Sequence, residues 1–321
     1  MAVTLEQAKL NVQDALQKGV IDEFQKSNFL WNNLTFEDAV SPVGGGATLT
    51  YAYTRLKTQP TAAFRAINEE YTAQEVEKER HTVDLAIFGG SFKVDRVIAN
   101  MGGIVNECTL QMQQKIKAAS ALFNDTVING DRSQNAKCFD GLDKAIKGSA
   151  TETALETPID LSTADAIDKN YMDFLDVVDE ALSVMDGTPS ALLMNAKMLT
   201  KFRAVIRRAT AYQETKDSFG RILEMYDGIP LIDLGAKAGS NDPVVGIDAS
   251  KGTTSIYAVR FGIDGFHAVS MAGVSPITSR LPNFNEAGAV KEGDVEMVAA
   301  VALKATKAAA VLRGIQVKAA T

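Results

Sequence analysis

Histidine is the commonest general base and metal ligand, and this chain has only two, His81 and His267. That supply is poor for a histidine-based triad or a metal cluster, so each is expected to be an ordinary surface or hydrogen-bonded side chain. Carboxylates are plentiful, but Glu69, Glu70, Glu75, Glu77 and Glu79 form a solvated run and not a spaced acid/base pair. Cys108 and Cys138 share no CxxC spacing, which leaves neither a zinc site nor a disulfide framework. The glycines Gly44, Gly45 and Gly46 invite a phosphate loop, yet no Lys-Ser/Thr follows and the next residues read as a strand. A hinge or turn is the better reading. Asp95 and Arg96 make one adjacent pair at an element boundary, a structural placement, and no dinucleotide fingerprint or serine elbow occurs. No cofactor is expected, and no enzyme.

Composition narrows the class further. Hydrophobic residues make up 46% and charged residues 23%, as in an ordinary globular chain. The net charge of −7 argues against a general nucleic-acid binder, and Arg203, Arg207 and Arg208 read as a solvated helix face. No run approaches the roughly 18 apolar residues of a membrane helix, and the opening MAVTLEQAKL lacks a signal-peptide pattern, so a cytosol-like compartment is expected.

The elements that would carry these residues are legible in part. A helix is expected over residues 4 to 18, with a stripe of Leu5, Ala8, Val12, Ala15 and Leu16. The aromatic stretch that follows, with Phe24, Phe29, Trp31 and Phe36, has no clean period and needs something to lie against. Alternation then predicts a strand from Ala47 to Leu56 and another around Val83, Leu85 and Ile87, with about 23 polar residues between them forming a long projecting hairpin. Residues 104 to 128 predict one long helix with Ile104, Cys108, Met112, Ile116, Ala119, Leu122 and Phe123 on its buried stripe. Further on, Ser162 or Thr163 caps a helix ended by Gly187, Ala191 to Met194 is a short buried strand, and Asn195 caps another helix. The closing VEMVAAVALKATKAAAVLRGIQ is alanine-rich, and propensity alone predicts helix.

The order of these features is similar to that of the major capsid proteins of tailed bacteriophages. The resemblance rests on the long helix, on Ile128-Asn129-Gly130-Asp131 and Phe139-Asp140-Gly141-Leu142 behind it, and on a second cluster of Ala191–Asn195, Phe219-Gly220-Arg221 and Gly228-Ile229-Pro230-Leu231-Ile232. It implies an α+β chain with the Hong Kong 97-like capsid fold: an N-terminal helix and arm (1–46), an extended hairpin loop (47–89), a peripheral domain (90–150 and 275–321) around the spine helix, and an axial α/β domain (151–274). It also implies that the alanine-rich end forms a strand, turn and strand returning beside the spine.

What the resemblance implies for function is a virion shell protein, assembled in the bacterial cytoplasm. It would meet copies of itself as hexamers and pentamers and enclose double-stranded DNA without reading its sequence. A separate scaffolding protein, a portal and decoration proteins are further implied partners. Since about 40 residues precede the hairpin, scaffolding is expected to be a separate protein or not needed. The arm lies either on its own domain or on neighbouring subunits, and the interface is expected to include Phe29, Trp31, Phe36, Lys57, Phe64, Arg65, Glu69, Glu70, Tyr71 and Glu77. Some relatives weld their shells by Lys-to-Asn bonds; Lys57 with Asn283 or Asn285 fits by residue type alone. The alternative within the fold is an encapsulin-like compartment, whose N-terminal helix would help hold cargo enzymes. The alternative outside it is an enzyme of unrecognised type.

Overall fold

The computed structural model describes residues 29–40, 48–58, 60–101, 107–209, 213–216, 222–273 and 275–319. The expected helix over 4 to 18, the turn at 44 to 46, the start of the spine helix and Phe219-Gly220-Arg221 lie outside them. In chain order the elements are α1 (Phe29–Asn33), β1 (Phe36–Val40), β2 (Thr50–Leu56), β3 (Lys78–Asp84), β4 (Ala86–Asp95), α2 (Arg96–Asn100), α3 (Glu107–Asn129), α4 (Leu142–Ile146), β5 (Glu152–Asp160), α5 (Ala164–Ser183), β6 (Ala191–Met194), α6 (Ala196–Arg208), β7 (Gln213–Lys216), β8 (Ile222–Tyr226), β9 (Ile229–Asp233), β10 (Thr253–Val259), β11 (Phe266–Met271), β12 (Ile277–Arg280), β13 (Val290–Leu303) and β14 (Ala309–Gln316).

The spine α3 has 23 described residues, a rod of about 35 Å at the usual helical rise. Its buried line runs through Met112, Ala119, Phe123 and Val127, with Cys108 and Ile116 half-buried beside it. Leu122, expected on the stripe, is instead 38% exposed, because the 3.6-residue period carries the core face through Phe123 and leaves its neighbour on the flank. The helix lies on a five-stranded sheet whose long central strand β13 pairs β4 along one edge and β11 and β12 along the other. Phe123 anchors the contact, stacked on Phe88 at 6.1 Å and edge-on to Trp31 at 5.3 Å.

The motif residues behind the spine meet for a backbone reason. A Cβ on Gly130 would stand 2.4 Å from the Phe139 carbonyl, and one on Gly141 would stand 2.6 Å from the Gly130 nitrogen. Only glycine allows that approach. The Gly141 N–H donates to the Gly130 carbonyl at 2.8 Å, and Lys144 Nζ reaches Asp131 at 2.6 Å and Asp140 at 2.8 Å. Asp131 is thereby held down at a pKa of about 2, chiefly by its bond to Lys144.

The second unit is a seven-stranded sheet ordered β5-β14-β10-β6-β9-β8-β7, with α5 and α6 on one face. Thr163 and Asn195 cap those helices through side-chain oxygens that accept from Ala166 N and Met198 N. α5 stops at Ser183, short of Gly187. Ile256, Ala258, Ala310 and Leu312 face the helices, while Tyr257, Val259, Ala309 and Val311 face the core of the first unit. Burial on both faces at close range is why these strands are alanine-rich and why pairing overrides helix propensity there.

Two placements differ from the sequence expectation. β14 joins the seven-stranded sheet instead of lying beside the spine, and β11 joins the five-stranded sheet although its sequence interval falls in the second unit. Strand pairing across long separations leaves no local pattern that would reveal it. The hairpin alternation also shifts phase: Ile87 is 58% exposed and Ala86 buried, because at Leu85 the chain leaves its partner β2 and joins β13.

Candidate functional site

β2 and β3 form a two-stranded antiparallel ribbon, Thr50 opposite Asp84 and Leu56 opposite Lys78. Beyond it the loop closes on itself. Lys57 N donates to the Glu77 carbonyl at 2.8 Å, Glu77 N to Thr58 Oγ1 at 2.9 Å, and Thr61 N to Gln74 Oε1 at 2.9 Å. The tip turns at 66–69, where Asn68 takes a left-handed φ of 70° and Ala66 N donates to Glu69 Oε2. Every residue from 60 to 80 is exposed, including Phe64 at 107%, Ile67 at 91% and Tyr71 at 64%.

The sequence-predicted interface residues separate into two groups. Lys57, Phe64, Arg65, Glu69, Glu70, Tyr71 and Glu77 all lie on the projecting loop. Arg65 covers the Tyr71 ring at 5.4 Å and donates to the Glu69 carbonyl at 3.1 Å, and Lys57 faces Glu77 at 3.5 Å. Phe29, Trp31 and Phe36 are half-buried on their own chain instead: Phe29 lies 6.2 Å from Phe261, and Trp31 sits 4.7 Å from Phe36 over Phe123. Trp31 and Phe36 thus pack on Phe123 of the spine, and Phe29 packs against Phe261 away from it.

The anchors of the ribbon were not legible in sequence. Tyr53 Oη donates to the Leu303 carbonyl at 2.8 Å, and Arg55 grips the turn after β13 through the Leu303 carbonyl, the Lys304 carbonyl at 2.7 Å and Thr306 Oγ1 at 3.1 Å. On β3, Asp84 accepts from Thr50 at 2.6 Å and from Arg132 behind the spine. Those two bonds, Thr50 first, hold its carboxyl below the ordinary value. His81 stacks on Tyr53 at 5.5 Å. A third anchor converges on Glu37 of β1, which accepts from Tyr51 Oη at 2.8 Å and Lys304 Nζ at 2.9 Å. The one local signal was Tyr51, Tyr53 and Arg55 sharing a strand face.

Other arrangements are structural. Asp95 caps α2 by accepting from Val97 N at 2.7 Å, and Arg203 and Arg208 pair with Glu224 and Asp168. An open groove of about 720 Å³ on the second unit is lined by Asp179, Leu182, Met185, Tyr226 and Asp227 among others. Its polar feature is Tyr226 donating to Asp179 at 2.7 Å; burial first, then Asp179, raises that phenol well above its usual value. Among the described residues no group of three or more His, Cys, Asp or Glu is placed to hold a metal ion, and no helix is long and apolar enough to cross a membrane.

A spine helix on a sheet with a long central strand, a second α/β unit and a projecting hairpin define the α+β Hong Kong 97-like capsid fold. Solved shells agree over nearly the full length. The SrpI encapsulin complex of Synechococcus elongatus is similar at a TM-score of 0.66 and 16% identity, covering 99% of this chain and 97% of that one. The capsid of a native GTA particle gives 0.57 and 14%, covering 98% and 99%. Mycobacterium phage Cain gives 0.56 and 14%, covering 100% of both chains. Neither a family model nor a curated protein matches the sequence.

Proposed function

We propose that this chain is a major capsid protein, a structural and non-enzymatic subunit that self-assembles into the icosahedral head of a tailed phage. The observation that carries the reading is the hairpin: residues 60 to 80 are all exposed, yet bear Phe64, Ile67 and Tyr71. Burying a large apolar side chain is worth about 1.5–3 kcal/mol, so a second copy laid under this loop gains what the isolated chain forgoes. Such contacts, each modest, accumulate over a closed lattice of hexamers and pentamers. The solved shells of the same fold, several from phages, support this reading. In it the protein is located in the virion, assembles in the host cytoplasm, encloses double-stranded DNA without sequence-specific contacts, and meets portal, scaffolding or decoration proteins.

The likeness to the SrpI encapsulin favours a second reading, a cargo compartment built on the same subunit plan. Electron microscopy with light scattering on the chain expressed alone tests shell formation, and the contents of the particles, DNA or protein, separate the two readings. Deleting residues 58–79 is expected to leave a folded subunit that no longer forms stable shells. Normal shells from that deletion would remove the hairpin from the interface.

A further inference from the structure

The helical layer of the second unit is divided in charge. α6 carries five cations, Lys197, Lys201, Arg203, Arg207 and Arg208, and no carboxylate. Three of them are engaged within the chain: Lys201 donates to the Ser162 carbonyl at 2.6 Å, and Arg203 and Arg208 pair with Glu224 and Asp168. Lys197 and Arg207 are exposed and have no ion partner among the described residues. Between them on the solvent side stand Ala196 and Thr200, short enough for another surface to approach the helix closely. The open groove of about 720 Å³ has the opposite sign. Asp179 of α5 and Asp227 of the β8–β9 turn line it, and Asp176 lies one helical turn before Asp179. All three are exposed, and none has an ion pair among the described residues. Their field reaches the groove wall: after burial, Asp179 and then Asp227 and Asp176 push the Tyr226 phenol upward. Leu182 and Met185 add an apolar bed on which the methylene stem of a long basic side chain can lie.

Resting on the self-assembly reading above, we propose that the Lys197 and Arg207 face of α6 docks into the Asp179 and Asp227 groove of a second copy of this chain. The groove is built from α5, the chain behind it and the β8–β9 turn, so the two patches are separate surfaces of one unit. Patches of that kind meet head to tail, each copy giving its helix to one neighbour and its groove to another, and the contact closes into a ring. A nucleic acid would satisfy the cations of α6 and leave the groove without an occupant. A second copy answers both, because the cations and the carboxylates that lack partners within the chain then find them in each other. Each exposed charge pair is weak alone, and the ring repeats it at every subunit.

Charge reversal on the full chain tests the contact, with shell formation followed by light scattering against subunit concentration. Asp176→Lys with Asp227→Lys reverses the groove, and Lys197→Glu with Arg207→Glu reverses the helix face. Each pair is expected to raise the concentration at which shells form about tenfold or more. With all four substitutions in one chain the signs are exchanged across the contact, and that concentration is expected to fall back about tenfold from the worse pair. A pair that assembles like the wild type, or a combined chain no better than the worse pair, overturns the contact. So does a loss confined to the helix pair, which would assign the α6 cations to another partner such as nucleic acid. If a reversed chain does not fold, the neutral pairs Asp176→Asn with Asp227→Asn and Lys197→Gln with Arg207→Gln serve instead: joined in one chain they must weaken assembly no more than either pair alone, and multiplied losses overturn the contact. Wild-type shells beside unaffected variants remove this contact alone, whereas a wild-type chain that stays monomeric at every concentration removes the self-assembly reading and the contact with it.

Discussion

Phe174 and Phe202 of the seven-stranded unit are fully buried, their rings edge-to-face at 5.2 Å, whereas Phe64 of the hairpin is fully exposed on a loop that is anchored at its root. The first region closes its own core: helices cover one face of the sheet and the other unit covers the opposite face. The second is a two-stranded ribbon, marginal in water on its own, and it is held by side chains reaching backbone carbonyls at Leu303 and Lys304. One region has its partners within the chain. The other has the shape of something waiting for them.

Three substitutions probe the contrast through the stability of the isolated chain. Phe202→Ala removes a ring packed between Phe174 and Tyr226 and is expected to cost about 3–5 kcal/mol in denaturant unfolding, or to prevent folding. Arg55→Met strips donors from the Leu303 and Lys304 carbonyls and is expected to cost about 1–3 kcal/mol, with the loss of exchange protection confined to β2 and β3. If protection falls equally in β10, the ribbon is not a separately held piece. Phe64→Ala is expected to leave the subunit within about 0.5 kcal/mol of wild type while raising the free-subunit concentration at which shells form. A measurable loss of subunit stability there would mean that the loop packs on its own chain after all.

What the sequence displayed followed from how local each determinant is. The caps Thr163 and Asn195 and the periodic stripes behind them marked α5 and α6 closely, because a helix writes its burial within a few residues. The length of the loop between β2 and β3 marked the projecting hairpin for the same reason. The aromatic stretch ending at Phe36 carried no period, and its direction was decided by Phe123, far away on the spine. The alanine-rich close was readable as strands only through the resemblance, since its small residues answer to sheets pressed on both faces and not to any alternation. The partners of the anchors were beyond reach: Arg55 and Thr306, or Glu37 and Lys304, are joined only once the chain has folded.

One strand pair links the two sheets mechanically. β13 ends the central strand of the five-stranded sheet, turns through residues 304–308, and continues as β14 inside the seven-stranded sheet, so a single covalent backbone is shared by both units. Arg55 grips the hairpin to that turn at Lys304 and Thr306. Tension applied to the hairpin by a neighbouring subunit would therefore enter the molecule at the joint between its two sheets and divide between them, so that both sheets, and not the two-stranded ribbon alone, would carry the load.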